Sequence, residues 1–576
     1  MAIPQQVTCS AKSHSYPYFP RPHISIGFGI SDEEMEAVKN RRNHVSKALL
    51  NRLADIYVKK VPVVSVLVSG GGLRAAIASL GVLSELSHVG LLDVVTYIAG
   101  VSGSTWCMSS LYNKSDGWKD LKKAESEFRR RLQDPRDFSV ALKKLIEAAE
   151  RDDYSLTDFW SYAIVDYLTN ELLESHLSRV REESRMGTVP YPIFATIDHD
   201  VKFCGTNAWF EFTPDWAGYS TLGSSTLGAY VHTTYCGSEC EGGKLINEKP
   251  ERDFSYLRGL CGSALADMNT NLTTIWDNIW KFISCSDTQE KMPINVPEGV
   301  MKAIKEQLFN LISSFVIDGH CSGDSLKNLQ HIMTGNKHFS DAATLTEQMM
   351  KQLHVASPDQ WIQFILEILI IILQLFLDKE RKAFLNFFRK TIDCLLKWKW
   401  GTTNSILYKY GKAATSFPTD QKYVSLMDSV LATHSAYPLV LPPMRNSDII
   451  LSFDFSEGDP FETIKATAKY CKAHHIPFPS VDDHKLDQEA KAPSDFYIFE
   501  EWNAPVVMYF PLFNKVNCGS EEGIKGRNEI YKTINLGRYS DKEVCELLDL
   551  SKANVRKNKD RILEKIHEVA GLPHGI

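Results

Sequence analysis

A serine in a turn of small residues is the first feature of this sequence with a chemical use. The stretch Tyr97 to Leu111, YIAGVSGSTWCMSSL, sets Ser102 between Gly100 and Gly103, where an apolar run stops. A serine hydroxyl attacks a carbonyl only if a base removes its proton and N–H groups stabilise the resulting oxyanion. The Gly-x-Ser-x-Ser pattern differs from the Gly-x-Ser-x-Gly nucleophile elbow only in its last residue. Ser102 is therefore the candidate nucleophile.

A second glycine turn lies one strand and one helix before Ser102, in the sequence SGGGLR (residues 69–74). Three glycines between a strand and a helix turn backbone N–H groups toward one point, which suits an oxyanion or a phosphate. Neither G-x-G-x-x-G nor G-x-x-x-x-G-K is present, so nucleotide binding is disfavoured. Because the two turns end neighbouring strands, we expect the N–H groups of Gly71 and Gly72 to converge on Ser102.

These turns need a parallel sheet to hold them, and the sequence offers strands of the required kind. Apolar, β-branched runs of strand length occur at residues 62–68, 94–100, 192–198, 448–455 and 506–510. Such runs are typical of central strands covered on both faces. The sequence predicts an α/β fold of three layers, with helices on both faces of a central mixed, largely parallel sheet and Ser102 on a nucleophile elbow.

The chain divides by composition into a polar leader (residues 1–35) and a single catalytic domain (residues 36–576). Within that domain, residues 266–394 have few glycines and mixed charge, which predicts a variable, mainly helical insertion that forms a cap. Residues 541–570 are rich in Lys, Glu and Leu at helical spacing and predict a pair of surface helices.

The insertion contains one strongly apolar stretch, Trp361 to Leu377, WIQFILEILIIILQLFL. Gln363, Glu367 and Gln374 interrupt it, and its length is at the lower limit for a transmembrane helix, so a membrane span is disfavoured. The stretch is either a buried helix or a lid that contacts the membrane surface.

Whole-chain properties exclude several classes of protein. The formal charge of -7 and pI near 6.2 give no general attraction to nucleic acid. The amino terminus lacks a signal-peptide pattern and the carboxyl terminus lacks a prenylation box, which favours the cytoplasm. Cys236 and Cys240 are the closest pair of the 12 cysteines, but no second pair completes a zinc site. No metal or other cofactor is predicted.

Beyond the two turns, several motifs resemble those of one known family. SGGGLRA followed by AGVSGSTW is similar to the cytosolic phospholipase A2 (group IV) family of patatin-related serine lipases. The similarity continues in YSLTDFW, PYPIFATID, WFEFTP, LRGLCGSAL, WKWGTT, YPLVLPP, ILSFDFS and IPFP. It covers roughly residues 36–265 and 395–570, and the middle segment has no recognisable family pattern.

The resemblance implies a Ser and Asp dyad in place of a triad. The family's D-A-G-L segment corresponds to Asp428-Ser429-Val430-Leu431, so Asp428 is the expected base. Valine replaces the family's glycine at position 430, and a β-branched side chain adopts positive φ only with strain. The resemblance also assigns Arg74 and Arg445 to the substrate phosphate and to the hydrogen-bond frame of the site.

The expected function is calcium-independent hydrolysis of fatty acyl esters of membrane glycerophospholipids, as a phospholipase A2 or lysophospholipase that associates peripherally with intracellular membranes. Asp454 is the competing acid. One alternative is a general esterase with a Ser-Asp-His triad that uses a late histidine such as His474 or His484. Another is a lipid-binding homologue whose dyad is impaired by Val430.

Overall fold

The computed structural model describes residues 24–27, 29–52, 60–114, 117–199, 209–220, 228–263, 268–285, 296–374, 382–411, 417–533 and 539–571. Its strands are β1 (Ser25–Gly27), β2 (Val64–Val68), β3 (Val95–Gly100), β4 (Tyr191–Asp198), β5 (Trp209–Phe212), β6 (Trp216–Tyr219), β7 (Gly228–His232), β8 (Glu239–Glu241), β9 (Lys244–Asn247), β10 (Thr402–Asn404), β11 (Tyr423–Asp428), β12 (Ile449–Asp454), β13 (Tyr497–Phe499) and β14 (Val506–Pro511).

Twelve of these strands form one mixed sheet. Ten follow the order β1-β7-β6-β5-β4-β3-β2-β12-β14-β13, while β11 pairs with β4 and β10 pairs with β11. The five neighbours β4, β3, β2, β12 and β14 are mutually parallel. They are the five strands that the sequence predicts, and almost all of their residues are buried, as expected for strands covered on both faces.

Helices surround the sheet. They are α1 (Asp32–Arg52), α2 (Gly72–His88), α3 (Gly103–Tyr112), α4 (Leu121–Gln133), α5 (Phe138–Ala149), α6 (Leu156–Phe159), α7 (Asp166–Thr169), α8 (Arg181–Arg185), α9 (Phe254–Cys261), α10 (Met268–Cys285), α11 (Glu298–Asp318), α12 (Gly323–Thr334), α13 (Ser340–Lys351), α14 (Pro358–Gln374), α15 (Lys382–Leu396), α16 (Tyr437–Val440), α17 (Glu462–Ala473), α18 (Asp483–Glu489), α19 (Lys515–Cys518), α20 (Glu521–Ile530) and α21 (Asp541–Val569).

Two separate apolar clusters confirm the three-layer fold. Val66 of β2 and Ile98 of β3 point into a cluster with helices α2 and α3. Leu67 and Ala99, the next residues along the same strands, point into a second cluster that includes Ile464 of α17. Because side chains alternate across a strand, the two faces of the sheet each bury one cluster against helices.

The carboxyl-terminal segment differs from its prediction. Residues 541–569 form the single 29-residue helix α21 instead of a pair of surface helices. No glycine or proline interrupts this segment, so nothing ends the helix midway. Helix α21 packs closely along α2, where a Cβ on Gly81 would lie 2.1 Å from Ser551 Oγ.

The described part of residues 268–396 consists of helices α10 to α15 with short connections. We call this segment the helical layer. Seven side chains of α14 are buried within it, among them Trp361, Ile368 and Leu373, while Ile370 is half-buried. The apolar stretch is thus a core helix over residues 361–374, and Leu375 to Leu377 lie outside the described residues. None of the described helices is both long and apolar enough to cross a bilayer.

Candidate active site

The turn after β3 gives Ser102 the conformation of a nucleophile elbow. Ser102 has φ 54° and ψ −128°, a strained combination for a residue with a side chain. Its carbonyl accepts from the Thr105 amide at 2.9 Å, which starts helix α3. A Cβ on Gly103 would lie 1.9 Å from the Gly72 carbonyl oxygen, so only glycine fits there. The elbow is therefore pressed directly against the glycine loop.

The glycine loop holds two left-handed residues that no other residue type would replace without strain. Gly71 has φ 146° and Gly72 has φ 58°. The Gly70 amide donates to the His434 carbonyl at 2.9 Å, which ties the loop to the chain that follows Asp428. The Gly71 and Gly72 amides, in contrast, donate to no acceptor in the part of the chain that the structure describes. These two N–H groups lie at the amino terminus of α2, where the helix dipole favours negative charge.

The strand register brings Asp428 to the same point. Strand β3 runs parallel to β4 as far as the Gly100–Phe194 pair. Strand β11 runs antiparallel to β4 and ends at the Asp428–Thr196 pair. Since β5 occupies the other edge of β4 at both positions, β3 and β11 share one edge and meet end to end. The Ser102 turn and the Asp428 turn thus face each other across about two residues of β4, roughly 7 Å.

The Asp428 side chain is fully buried at this junction. One of its carboxylate oxygens accepts from the Val430 amide at 3.0 Å and caps the single 3-10 turn Ser429–Leu431. Burial, together with the charge of Asp428, raises the pKa of the Cys261 thiol well above its usual range, which places α9 against the acid. Ser102 is only 2% exposed, so the candidate nucleophile is buried as well.

Val430 does not need the backbone conformation of the glycine it replaces. It lies inside the 3-10 turn and is not among the described residues with positive φ. The strain expected from a valine with positive φ in the Asp428 turn is therefore not present. Its side chain instead packs over Gly70, where a Cβ would lie 2.5 Å from Val430 Cγ2.

Arg74 is completely buried behind the glycine loop. Its guanidinium donates to the carbonyl oxygens of Phe455 and Tyr531 and to Asn528 Oδ1. Burial lowers the pKa of this guanidinium below its usual value. In this structure the side chain joins α2 to the ends of β12 and α20.

Arg445 is the centre of a buried ionic cluster. It pairs with Glu34 of α1 (2.8 Å) and Glu211 of β5 (2.7 Å), and the Tyr97 hydroxyl donates to Glu34 at 3.1 Å. Burial opposes its charge, but Glu211 and Glu34 hold the pKa of the guanidinium well above its usual value. The sequence motifs did not indicate these two glutamates, because neither is near Arg445 in the chain.

The other candidate residues serve the framework. Asp454 accepts from the Tyr509 hydroxyl and from the amide and hydroxyl of Ser456, which occupies both of its oxygens. His474 packs against Tyr470, and His484 is exposed next to Gln488; neither ring hydrogen-bonds Ser102 or Asp428.

Cys236 and Cys240 belong to no metal-binding cluster of described residues. Burial raises the pKa of Cys236 to about 12 and that of Cys240 to about 11, so both thiols are protonated at neutral pH. Across the described ranges, no three His, Cys, Asp or Glu side chains are grouped to hold a metal ion.

An α/β sheet with a strained serine elbow, a facing acid and two unoccupied glycine amides defines the serine hydrolase class. Residues 64–307 match a family described as lysophospholipase catalytic domain. The chain is 40% identical to mouse cytosolic phospholipase A2 gamma over 573 residues, 95% of this chain and 92% of that protein. It is 41% identical to the human gamma protein over 560 residues, 95% of this chain and 97% of that protein.

A solved structure gives the same picture of the fold. Human GIVD cytosolic phospholipase A2 superposes with a TM-score of 0.64 at 21% identity, covering 96% of this chain and 67% of that one. The chain belongs to the cytosolic phospholipase A2 family of lipid hydrolases, and its similarity to the gamma type of that family extends over 95% of its length.

Proposed function

We propose that the chain hydrolyses fatty acyl esters of glycerophospholipids, as a phospholipase A2 or lysophospholipase, through a Ser102 and Asp428 dyad. The observation that carries the proposal is the end-to-end meeting of β3 and β11 on one edge of β4. It supports the dyad because the two turns are far apart in sequence, and the register of β3 and β11 on β4 brings their ends together.

In the proposed reaction, Asp428 accepts the proton of the Ser102 hydroxyl as its oxygen attacks the ester carbonyl. The Gly71 and Gly72 amides stabilise the tetrahedral oxyanion, which collapses to an acyl-serine and releases the glycerol oxygen with the proton from Asp428. Water, deprotonated by Asp428, then attacks the acyl carbon, and the bond to the Ser102 oxygen breaks as Asp428 returns the proton to that oxygen and the fatty acid leaves. Arg74 and Arg445 hold the elements around the site in place through their hydrogen bonds. Arg74 is also the candidate for binding the substrate phosphate.

We propose further that this chemistry needs no calcium, since the proton acceptor and the oxyanion donors are all groups of the protein. Activity on phospholipid vesicles is expected to be unchanged by a calcium chelator. A loss restored by added calcium, with melting unaffected, would contradict this part of the proposal.

The protein is proposed to act in the cytoplasm and to meet its substrate peripherally at intracellular membranes. Residues 36–576 are proposed to work as one catalytic domain, because strands as far apart in sequence as β2 and β14 share one sheet. The helical segment 266–394 would then cover one side of that domain as a cap.

A fluorophosphonate probe tests the dyad directly, because it reacts only with an activated serine. A second solved structure holds human GIVD cytosolic phospholipase A2 in complex with methyl gamma-linolenyl fluorophosphonate. We expect the wild-type chain to be labelled at Ser102 and Ser102→Ala to be neither labelled nor active, with an unchanged melting temperature. Asp428→Asn is expected to lower labelling and vesicle hydrolysis at least 100-fold, since an amide accepts no proton.

Asp454→Asn is the matched control for the base. It removes the charge of a buried acid at the end of β12, a strand of the same sheet, so we expect a loss of stability with at most a tenfold loss of labelling. The opposite pattern, with Asp428→Asn fully active and Asp454→Asn inactive, would reject the dyad. A folded wild-type chain that resists the probe would favour the impaired, lipid-binding alternative.

A further inference from the structure

The side chain of Val430 occupies the space beside the candidate nucleophile. A Cβ placed on Gly70 would lie 2.5 Å from Val430 Cγ2 and 3.2 Å from Ser102 Cβ. The valine methyl and the serine side chain therefore flank the same small volume above the glycine loop. Val430 is half-buried and packs against the apolar cluster that contains Val101 and Ala99, so its position is fixed by neighbours on the same face of the sheet.

The contact also restricts position 70 to glycine in this chain. Gly70 has no left-handed φ, so its backbone does not itself require glycine. The requirement is steric, because the Val430 methyl fills the place of a side chain. Val430 thus leaves no room for a side chain at position 70.

With Ser102 as the nucleophile, a bound acyl group would have to approach this methyl group. On attack, the Ser102 oxygen becomes bonded to the acyl carbon, whose first substituent must fit between the glycine loop and the Asp428 turn. An unbranched chain presents one methylene there, while a chain branched at that carbon presents a second carbon. A single methylene that fits or clashes in an apolar pocket changes selectivity about 10- to 200-fold.

We propose that Val430 is a specificity-determining residue. Its isopropyl group borders the Ser102 site and restricts the site to acyl groups that carry no branch on the carbon next to the carbonyl. The proposal rests on the proposed function, because it assumes that Ser102 is the nucleophile. The valine thus acts through its size and leaves the dyad geometry intact.

Two fluorophosphonates that differ only in the carbon attached to phosphorus, one a linear alkyl and one branched at that carbon, measure this restriction. For each variant, the second-order rate constant of Ser102 labelling is determined with both probes. We expect Val430→Ala and Val430→Gly to raise the ratio of branched to linear labelling at least tenfold, and Val430→Ile to lower it. Leu431→Ala is the matched control, since that neighbouring side chain is exposed and its ratio should stay that of the wild type.

A second pair of variants tests the contact itself. Gly70→Ala alone is expected to slow linear-probe labelling at least tenfold because of the clash with Val430, and Gly70→Ala combined with Val430→Gly is expected to recover most of that loss. An unchanged branched-to-linear ratio in folded Val430→Ala and Val430→Gly would overturn the proposal, and so would a double variant no faster than Gly70→Ala. If the folded wild type is labelled by neither probe, the proposed function fails and this inference fails with it.

Discussion

The edge of the sheet around Ser102 and the helical layer are built in different ways. At the sheet edge, backbone meets backbone, and a single added carbon at Gly103 would collide with the Gly72 carbonyl. In the helical layer, contacts are made by side chains such as Phe282 and Phe387, and Gly299 has open space around it. Geometry at the sheet edge thus depends on individual residue types, whereas the helical layer depends on apolar periodicity alone.

This difference accounts for the distribution of motifs. Residues 266–394 carry no recognisable family pattern, and the helical layer they form requires only apolar residues at helical spacing. The three turns at the sheet edge require glycines, an acid and buried arginines at fixed places. Sequence motifs therefore mark the part of the molecule in which substitution is most strongly restricted.

The largest expected effect comes from the ionic cluster beneath the sheet edge. Arg445→Met leaves Glu34 and Glu211 buried without their cation, and removing one partner of such a pair costs about 3–5 kcal/mol. Arg445→Lys keeps the charge but not the forked geometry and should lose less. Denaturant unfolding of the three proteins measures the difference. Equal stability of wild type and Arg445→Met would show that this edge does not depend on the cluster.

Leu373→Asp tests the core of the helical layer. Leu373 is 1% exposed, so the change removes apolar packing and buries an unpaired charge, at a cost of about 3 kcal/mol or more. Ile370→Asp, at a half-buried position of the same helix, should cost less. Both variants are compared by melting temperature and by activity on vesicles and on a soluble ester. If only the activity on vesicles is lost and the melting temperature is unchanged, this helix contacts the membrane and is not part of the core.

Gly103→Ala asks whether backbone contacts do control the sheet edge. The added methyl would overlap the Gly72 carbonyl, and such overpacking costs about 1–3 kcal/mol. Because relief of the clash must move the elbow away from the oxyanion donors, Ser102 labelling should fall at least 100-fold. A Gly103→Ala variant labelled at the wild-type rate would show that the sheet edge tolerates an added carbon as the helical layer does.

The pH dependence of stability probes the contact between helices α7 and α9. Burial raises the pKa of the Asp166 carboxyl to about 7, against the opposing attraction of Arg258. A folded-state pKa above the unfolded value of about 3.9 means that this contribution is complete below pH 4 and is lost as the pH rises through 7. Asp166→Asn should therefore lose less stability than the wild type as the pH rises across this window, by up to about 1.4 kcal/mol per pH unit. If the free energies of unfolding of the wild type and Asp166→Asn change in parallel with pH, the raised pKa is not that of Asp166.

Gly299→Ala gives the smallest expected effect and the counterpart of Gly103→Ala. Position 299 lies in the first turn of α11 with nothing within 4 Å of an added Cβ. Alanine should stabilise the helix by about 0.5–1 kcal/mol, and Ser102 labelling should be unchanged. A destabilised variant would show that the helical layer, too, is restricted at the level of single atoms.

The amino-acid sequence alone determined the five parallel strands, because each is a continuous apolar run of strand length between turn residues. It also determined the elbow at Ser102 and the glycine loop, since small residues at a strand-to-helix turn have few other uses. The mainly helical nature of residues 266–394 was predicted from their few glycines and mixed charge. Local rules sufficed for these features, because the residues that decide each one lie within a few positions of one another.

Only the tertiary structure decided what meets Ser102. Strand β11 is partly exposed, with buried residues only at alternate positions, and its register on β4, not its own sequence, brings Asp428 to the end of β3. The partners of Arg445 come from positions 34 and 211, and the packing of Val430 on Gly70 joins residues 360 positions apart. Such contacts are fixed by strand pairing and by close packing of the whole chain, and neither is encoded in any local stretch of residues.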